Sequence, residues 1–188
     1  MAVLLKKKKM IAKYLLSFAF LLFAGALAAQ INWLSMEEAL ELQKKQPKKI
    51  LIDVYTHWCG PCKRLKETTF VHPKLVEYVN EHFYTVAFDA EQADSLVFKG
   101  VTYKNPDYKP NVQGRNGVHQ FSRFLGVGAY PTIIFMDEKG IIIDKMVGFR
   151  SAPECEPYLK YVGDDIYKTF DTVDKKASWV GAFKVTWN

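Results

Sequence analysis

The run ILIDVY, from Ile50 to Tyr55, sets the strongest limit on how this chain folds. Its residues are mostly apolar and branched and show no alternation with polar positions, which is the pattern of a β-strand buried on both faces. Such a strand needs a layer of helices on each side, so the sequence predicts an α/β architecture. Asp53 is the one charged residue of the run. Because a carboxylate is costly to bury without a partner or a chemical role, Asp53 is a candidate functional residue.

The neighbouring segments alternate between helix and strand patterns. Two capping boxes, which begin at Ser35 and at Ser151, each predict the start of a helix. The other predicted elements follow from apolar periodicity and turn residues. The predicted helices cover residues 36–45, a segment from Pro73 onward, a short stretch near 118–125 and a segment ending at Val162, and the predicted strands cover residues 50–55, 84–88, 132–136 and 141–147. These elements give a mixed sheet with helices on both faces.

Residues 1–28 have the composition of an export signal. Four consecutive lysines and Lys13 precede an apolar run over residues 14–27, which is short for a membrane span and ends in small residues. We therefore expect a signal peptide over residues 1–28 that is cleaved near Ala28 or Ala29, and export, with the bacterial periplasm as the expected compartment. An N-terminal membrane anchor facing the periplasm is the alternative.

Most of the positive charge of the chain lies in this leader. Its five lysines account for five of the six net positive charges. The remainder is close to neutral, so the sequence predicts no nucleic-acid partner. Three cysteines, Cys59, Cys62 and Cys155, follow the leader, and in an oxidising compartment disulfides between cysteines persist.

The segment Trp58-Cys59-Gly60-Pro61-Cys62 carries a pair of cysteines two residues apart. Pro61 suits the first turn of a helix, so Cys59 is predicted at a helix N-terminus, where free N–H groups stabilise a thiolate. Cys59 is therefore the predicted nucleophile of thiol–disulfide exchange, and Cys62, one turn inside the helix, is the predicted, more buried resolving thiol. Zinc sites use the same spacing, but zinc would need two further ligands and the chain has no second paired motif. A permanent structural disulfide would close only a very small loop and gain little stability.

This motif and its surroundings resemble the thioredoxin family over residues 50–162. The resemblance rests on Asp53 six residues before Cys59, on Asp89 at the end of the next predicted strand, and on Tyr130-Pro131-Thr132 before the predicted hairpin. It implies an α/β, thioredoxin-like three-layer fold with a central mixed sheet and helices on both faces.

The resemblance also sets the predicted domain organisation. We expect a thioredoxin-like domain over residues 29–188. Residues 91–120, rich in glycine, proline and other turn residues, are predicted as an insertion or long loop before the cis-proline strand. Residues 163–188 are predicted as a C-terminal extension without assigned elements.

Several residue roles follow from the family resemblance. It implies that Asp53 handles the proton of the second cysteine and acts as a catalytic residue with Cys59 and Cys62. It also implies that the Tyr130–Pro131 bond is cis and that the backbone before the proline pairs with the substrate chain. The expected substrate-binding residues are Trp58, Gly60, Pro61, Tyr130 and Pro131.

The resulting functional prediction is an exported thiol–disulfide oxidoreductase that reduces protein disulfides, because Gly-Pro between the cysteines resembles the reducing members of the family. The alternatives are a protein disulfide oxidase or isomerase and a redox-inert binding or adaptor protein. The redox-active Cys59–Cys62 disulfide is the only redox group expected, with no cofactor and no metal. The implied partners are disulfide-containing client proteins and a membrane-embedded thiol relay as electron donor.

Several further residues have two possible interpretations. Thr85 stands where thioredoxins carry a lysine, so the family's partner charge for Asp53 is missing. A protonated His57 would lower the pKa of Cys59, whereas a solvated loop histidine would not, and both interpretations stay open. Cys155 shares the apolar face of the last predicted helix, so we expect it to pack in the core. Asp89, His72 and His119 are expected to be turn or surface residues.

The segment 91–120 contains several aromatic residues and one arginine with a possible role in recognition. A long loop beside an active site often determines specificity, and it can equally be a packed decoration. The residues that would carry specificity are Tyr103, Tyr108, Arg115 and Phe121.

Overall fold

Residues 30–169 and 173–188 are described by a computed structural model of the chain. The predicted signal peptide and its cleavage site lie outside these residues. Within them, no helix combines the length and the apolar character that a membrane crossing requires.

A five-stranded mixed sheet forms the centre of the molecule. Its strands in spatial order are β1 (Trp33–Leu34), β3 (Phe83–Asp89), β2 (Lys49–Tyr55), β6 (Thr132–Met136) and β7 (Ile142–Val147). The first three run parallel, and β6 and β7 are antiparallel to their neighbours. Strand β2 lies in the middle and is buried from Lys49 to Val54, which confirms the prediction of a strand covered on both faces.

Helices cover both faces of this sheet, so the predicted fold class is confirmed. They are α1 (Met36–Lys45), α2 (Gly60–Arg64), α3 (Pro73–His82), α4 (Gln120–Phe124), α5 (Ala152–Gly163) and α6 (Val173–Ala182). Helix α2 continues directly as a π-helical turn over Leu65–Thr69. A 3-10 turn over Ile166–Thr169 follows α5. Both predicted capping boxes form, at Ser35 and at Ser151.

Alternate residues of β2 enter two separate cores. Ile50, Ile52 and Val54 pack on the side of α1 and α4. Leu51 packs on the opposite side, together with residues of the π-helical turn, α3 and α5. Because side chains alternate along a strand, Asp53 shares the face of Leu51. The buried carboxylate is therefore directed to the side of the sheet that the cysteine-bearing helix covers.

The segment 91–120 contains a β-hairpin that the sequence pattern did not predict. Strands β4 (Leu96–Phe98) and β5 (Val101–Tyr103) pair antiparallel around a two-residue turn. Both turn residues have positive φ, 51° at Lys99 and 77° at Gly100, as a tight hairpin with the natural strand twist requires. Three-residue strands are too short to show a period of two, so this hairpin left no clear signal.

The C-terminal segment is part of the folded structure. Trp187 is buried in the core formed by α3 and α5, and its ring centre lies 5.6 Å from that of Tyr78. The fully buried carboxylate of Glu156 on α5 accepts hydrogen bonds from the backbone N–H groups of Thr186 and Trp187, at 2.6 and 2.9 Å. These contacts join the end of the chain to the main domain.

Candidate active site

Cys59 and Cys62 form a disulfide at the start of α2. Cys59 is the N-cap residue with an extended backbone, and Pro61 lies in the first turn, as predicted. The backbone N–H of Cys62 donates to the Sγ of Cys59 at 3.1 Å. After reduction, the same N–H group and the helix N-terminus are positioned to stabilise negative charge on Cys59.

The two cysteines contact two different cavities. Cys59 lines an open groove of about 600 Å³, together with Trp58, Gly60 and Pro61. Cys62 lines a second cavity of about 360 Å³, which also contains Asp53. One cysteine therefore faces the space where a substrate chain can lie, and the other faces the buried acid.

The prediction that Cys62 is the more buried cysteine is wrong. Cys59 is 3% exposed and Cys62 is 6% exposed. Residues of the 91–120 segment line the groove beside Cys59, whereas the cavity beside Cys62 is lined by residues of β1 and β2 and by lysine side chains. Position along the helix predicts burial only when the surrounding loops are known.

Asp53 is 7% exposed, and no described residue provides a hydrogen-bond partner for its Oδ1. Burial raises the pKa of Asp53 from its ordinary value of 3.8 to about 7, and the positive charge of Lys66 opposes this rise. A carboxyl with a pKa near neutrality can exchange a proton at physiological pH. This is the property that proton transfer to or from the Cys62 thiol requires.

Thioredoxins carry a lysine at the position of Thr85, and in this chain Lys66 supplies a positive charge near Asp53 instead. Thr85 is buried and its hydroxyl donates to the backbone carbonyl of Asn32 at 2.6 Å. Lys66 instead extends from the π-helical turn and lines the same cavity as Asp53 and Cys62. The sequence did contain a signal for this residue, because positions four apart on a helix share a face and Lys66 follows Cys62 by four.

The groove beside Cys59 is lined by Tyr130, which is joined by its peptide bond to Pro131. This peptide bond is cis, which the family resemblance implied. The ring centres of Tyr130 and Trp58 lie 5.9 Å apart in an edge-to-face arrangement. The indole N–H of Trp58 donates to Glu91 Oε2 at 2.9 Å, so the tryptophan is held in place from two sides.

Residues of the 91–120 segment also line this groove. Arg115 and Asn116 line it, and the guanidinium of Arg115 lies 4.8 Å from the ring centre of Trp58. Tyr108 lines a neighbouring depression beside Trp58. Of the residues considered for specificity, Arg115 and Tyr108 therefore reach the site, whereas Tyr103 and Phe121 pack against each other at 5.3 Å as part of the core.

The histidines occupy different environments. The side chain of His57 is 83% exposed and its Nε2 lies 3.0 Å from Asp89 Oδ2. His72 takes the N-cap position of α3. The expectation of a surface position is wrong for His119, which is fully buried as the N-cap of α4 and accepts from the backbone N–H of Phe121 through Nδ1. Burial lowers the pKa of His119, so the ring serves this cap in the neutral form.

Cys155 lies in the core, as predicted. It has no exposed surface and packs in the same core as the helices α3 and α5. Burial raises the pKa of its thiol to about 12. A thiol in this state is a small hydrophobic side chain, not a nucleophile.

Metal coordination was the alternative use of the cysteine pair. In the structure the pair is bonded as a disulfide. Throughout residues 30–169 and 173–188, no three side chains of histidine, cysteine, aspartate or glutamate cluster in a way that could hold a metal ion.

Comparison with known families places the chain by sequence. The family model for a thioredoxin-like domain matches residues 36–163, which is more than half of the chain. The chain belongs to this thioredoxin-like family. Together with the disulfide at the N-terminus of α2, the fold defines a thiol–disulfide oxidoreductase.

Individual relatives carry related names. The chain is 23% identical over 124 residues to the thiol-disulfide oxidoreductase ResA of Bacillus thuringiensis (strain Al Hakam), covering 65% of this chain and 68% of that protein. It is 25% identical over 134 residues to the thiol:disulfide interchange protein DsbD of Photorhabdus laumondii, covering 70% of this chain and 19% of that protein.

Solved structures show the same fold. A thioredoxin-fold protein from Helicobacter pylori superposes with a TM-score of 0.56 at 17% identity, over 72% of this chain and 83% of that one. A candidate disulphide isomerase from Bacteroides thetaiotaomicron superposes with a TM-score of 0.52 at 30% identity, over 72% of this chain and 95% of that one.

Proposed function

We propose that this protein is an exported oxidoreductase that reduces disulfides of client proteins, with Cys59 as nucleophile and Cys62 as resolving thiol. The observation that carries this proposal is the separation of the two cysteines between two cavities. Cys59 lines the groove that also contains Tyr130, the residue before cis-Pro131, and Cys62 lines the cavity of Asp53. In this proposal, Cys59 attacks the substrate in the groove, and Cys62 is activated for product release in the cavity of Asp53.

The first half of the reaction takes place in the groove. The Cys59 thiolate attacks one sulfur of the client disulfide, so that a mixed disulfide forms while the client S–S bond breaks and one client thiolate leaves. The Cys62 N–H, which lies 3.1 Å from Cys59 Sγ, and the N-terminus of α2 favour the thiolate form of the attacking group.

The second half of the reaction requires the other cavity. The Asp53 carboxylate accepts the proton of Cys62, and the resulting thiolate attacks Cys59 Sγ. The Cys59–Cys62 bond then forms, the mixed disulfide breaks and the second client thiolate leaves. Two electrons pass from the enzyme to the client, and the two client thiolates take up the protons that the enzyme thiols have lost.

Each turnover leaves the enzyme oxidised, so a dithiol must return two electrons to Cys59–Cys62 before the next one. Outside the cytoplasm, these electrons come through a membrane-embedded thiol relay in our proposal. The lysine cluster and apolar run of residues 1–28 support export to the periplasm. Cell fractionation and N-terminal sequencing test export: a periplasmic chain that begins near Ala29 is expected, and a cytoplasmic chain with an intact leader would contradict it.

Replacement of the resolving cysteine tests the assigned roles. Cys62→Ser is expected to hold client proteins on Cys59 as mixed disulfides, because the second attack no longer occurs. The trapped species are measured by non-reducing electrophoresis and mass spectrometry of affinity-purified protein. Cys59→Ser is the matched control and is expected to trap none. Clients that remain bound to Cys59→Ser, or a Cys62→Ser variant without covalent adducts, would contradict this assignment.

A disulfide isomerase is the second candidate function. It is favoured by the 30% identity to the candidate disulphide isomerase of Bacteroides thetaiotaomicron, whose length the chain covers almost completely. A reductase passes two electrons to its client in each turnover, whereas an isomerase breaks one client disulfide and forms another with no net electron transfer. The reduction potential of the cysteine pair therefore discriminates between them.

A further inference from the structure

The 91–120 segment places a positive charge beside the reactive disulfide. The Arg115 guanidinium lies 4.8 Å from the ring centre of Trp58, the residue that directly precedes Cys59. Arg115 and Cys59 line the same groove. A substrate chain that brings a sulfur to Cys59 therefore passes close to this guanidinium.

Hydrogen bonds hold the loop that carries Arg115. The side chain of Asn116 accepts from the backbone N–H of Lys109 at 2.8 Å and donates to the backbone carbonyl of the same residue at 2.9 Å. Asn105 donates to the backbone carbonyls of Gln92 and Gly117, at 3.0 and 2.7 Å. Arg115 thus projects from a loop that is tied on both sides, and binding of a substrate does not have to order it first.

Gly117 shows how closely this loop is packed. A Cβ atom at this position would lie 2.4 Å from the backbone carbon of Asp107. The loop backbone can therefore approach itself here only because residue 117 has no side chain. This close approach fixes the path of the chain immediately after Arg115 and Asn116.

The two charged residues among the described groove-lining residues differ in availability. Glu91 is 8% exposed and its carboxylate accepts the indole hydrogen bond of Trp58. Arg115 is exposed and forms no ion pair with any described residue. A guanidinium over an aromatic ring keeps its in-plane N–H donors free, and these donors match the geometry of a carboxylate.

We propose that Arg115 determines specificity by selecting client segments that carry an aspartate or glutamate next to the reacting cysteine. This inference rests on the proposed function, because it concerns the substrates of the same groove. The acidic side chain pairs with Arg115 while the neighbouring cysteine reaches Cys59. A basic side chain at the same place is repelled.

Matched peptides test this selectivity. Three peptides of identical length each carry one cysteine as a thiopyridyl disulfide, flanked by aspartate, asparagine or lysine. The reduced full-length chain is mixed with each peptide, and release of thiopyridone gives the second-order rate constant. We expect the aspartate peptide to react about threefold faster than the lysine peptide, which is the effect of one partly exposed ion pair, with the asparagine peptide between them. The ratio should fall at high salt, because exposed charges are screened.

Three variants separate the local contact from overall charge. Arg115→Ala is expected to make the aspartate and lysine peptides react at equal rates, so that the ratio of their rate constants falls to about one. Arg115→Glu is expected to make the lysine peptide the faster one. Lys109→Ala removes one positive charge from the same loop, but Lys109 does not line the groove, so this control should keep the wild-type ratio. Equal loss of the ratio in Lys109→Ala and Arg115→Ala would overturn the inference in favour of general electrostatic steering.

The outcomes also separate this inference from the proposed function. If the wild-type chain reacts with none of the three peptides, the proposed function fails and the inference fails with it. If it reacts with all three at equal rates, the oxidoreductase function stands and selection by Arg115 is wrong.

Discussion

At the scale of single residues, Asp53 connects the pH dependence of stability with that of catalysis. Its pKa is about 7 in the folded protein and its ordinary value is 3.8. Well below pH 3.8 the carboxyl is protonated in both states, so it does not disfavour folding. Between about pH 4 and 7 the unfolded chain is ionised while the folded protein keeps the proton, so stability falls as the pH rises and the loss is complete above pH 7.

Asp53→Asn removes this penalty. At pH 8 the oxidised variant is expected to be more stable than the wild type by roughly 4 kcal/mol, because the pKa of Asp53 rises from 3.8 to about 7 and one pK unit corresponds to about 1.4 kcal/mol. The gain should disappear at pH 3, where the Asp53 carboxyl is mostly protonated in both the folded and the unfolded state. Urea denaturation at the two pH values measures the difference. A gain that is equal at both would show that packing, and not ionisation, is responsible.

Lys66 is expected to control the protonation of Asp53. Lys66→Met removes the charge that lowers the Asp53 pKa, so the pKa should rise further. Fewer Asp53 side chains are then ionised at pH 7, and mixed disulfides on Cys59 should persist longer. Titration of the Asp53 carboxyl carbon by NMR measures the first effect. The lifetime of the mixed disulfide between Cys59 and a client, with Cys62 intact, measures the second.

Two further substitutions serve as controls for Lys66. Lys66→Arg keeps the charge and should retain the wild-type titration. Lys63 lines the same cavity, but burial and Lys66 account for the shift of Asp53, so Lys63→Met should leave it unchanged. An Asp53 pKa that responds equally to both lysines would refute a specific role for Lys66.

At the scale of elements, the C-terminal segment is joined to α5 by hydrogen bonds to the buried carboxylate of Glu156. Glu156→Ala would leave the backbone N–H groups of Thr186 and Trp187 without their acceptor. We expect a loss of about 3 kcal/mol in the free energy of unfolding, since hydrogen bonds to a buried charge are costly to remove. Chemical denaturation measures this loss.

An exposed glutamate provides the matched control. Glu77→Ala on the surface of α3 should change stability by less than about 0.5 kcal/mol. Limited proteolysis should release the C-terminal residues of Glu156→Ala before the rest of the domain unfolds. A variant with wild-type stability and proteolysis would show that the C-terminal segment does not depend on Glu156.

Elements with local signals were the predictable ones. The capping boxes at Ser35 and Ser151 predicted the starts of α1 and α5, because the bonds that define them join residues three apart. The β4–β5 hairpin and α6 were missed. The strands of the hairpin are short, and contacts with distant parts of the chain, such as Phe98 with Phe121 at 5.4 Å between ring centres, stabilise it. The apolar pattern of α6 is weak.

At the scale of the whole molecule, the balance between the dithiol and the disulfide sets the direction of electron flow. A relative stabilisation of the reduced form makes a protein an oxidant. Cys59 Sγ accepts a hydrogen bond from the backbone N–H of Cys62, whereas the His57 side chain is mostly in solvent and lies beside Asp89. Because its side chain faces solvent and the Asp89 carboxylate, His57 is expected to contribute little to the stabilisation of a thiolate on Cys59.

We therefore predict a reduction potential near that of thioredoxin, about −270 mV. The measurement is an equilibrium titration against dithiothreitol or glutathione buffers, with alkylated thiols counted by mass spectrometry. A value near about −120 mV would contradict the reductive assignment and favour an oxidase. An intermediate value near about −180 mV would favour the isomerase.

The sequence by itself determined the central strand with its buried Asp53, the cysteine pair at a helix N-terminus and, through the family resemblance, the cis-proline segment. These features depend on residues that are close along the chain or on a recurrent family motif. Only the tertiary structure decided which charges act on them. Arg115 contacts Trp58 from 57 positions away, and Thr186 and Trp187 meet a buried Glu156 on another element. The spacing of four placed Lys66 on the face of Cys62, but Lys66 meets Asp53 only when the π-helical turn after α2 lies beside β2. Such pairings depend on how distant elements pack, and packing leaves no periodic trace in the sequence.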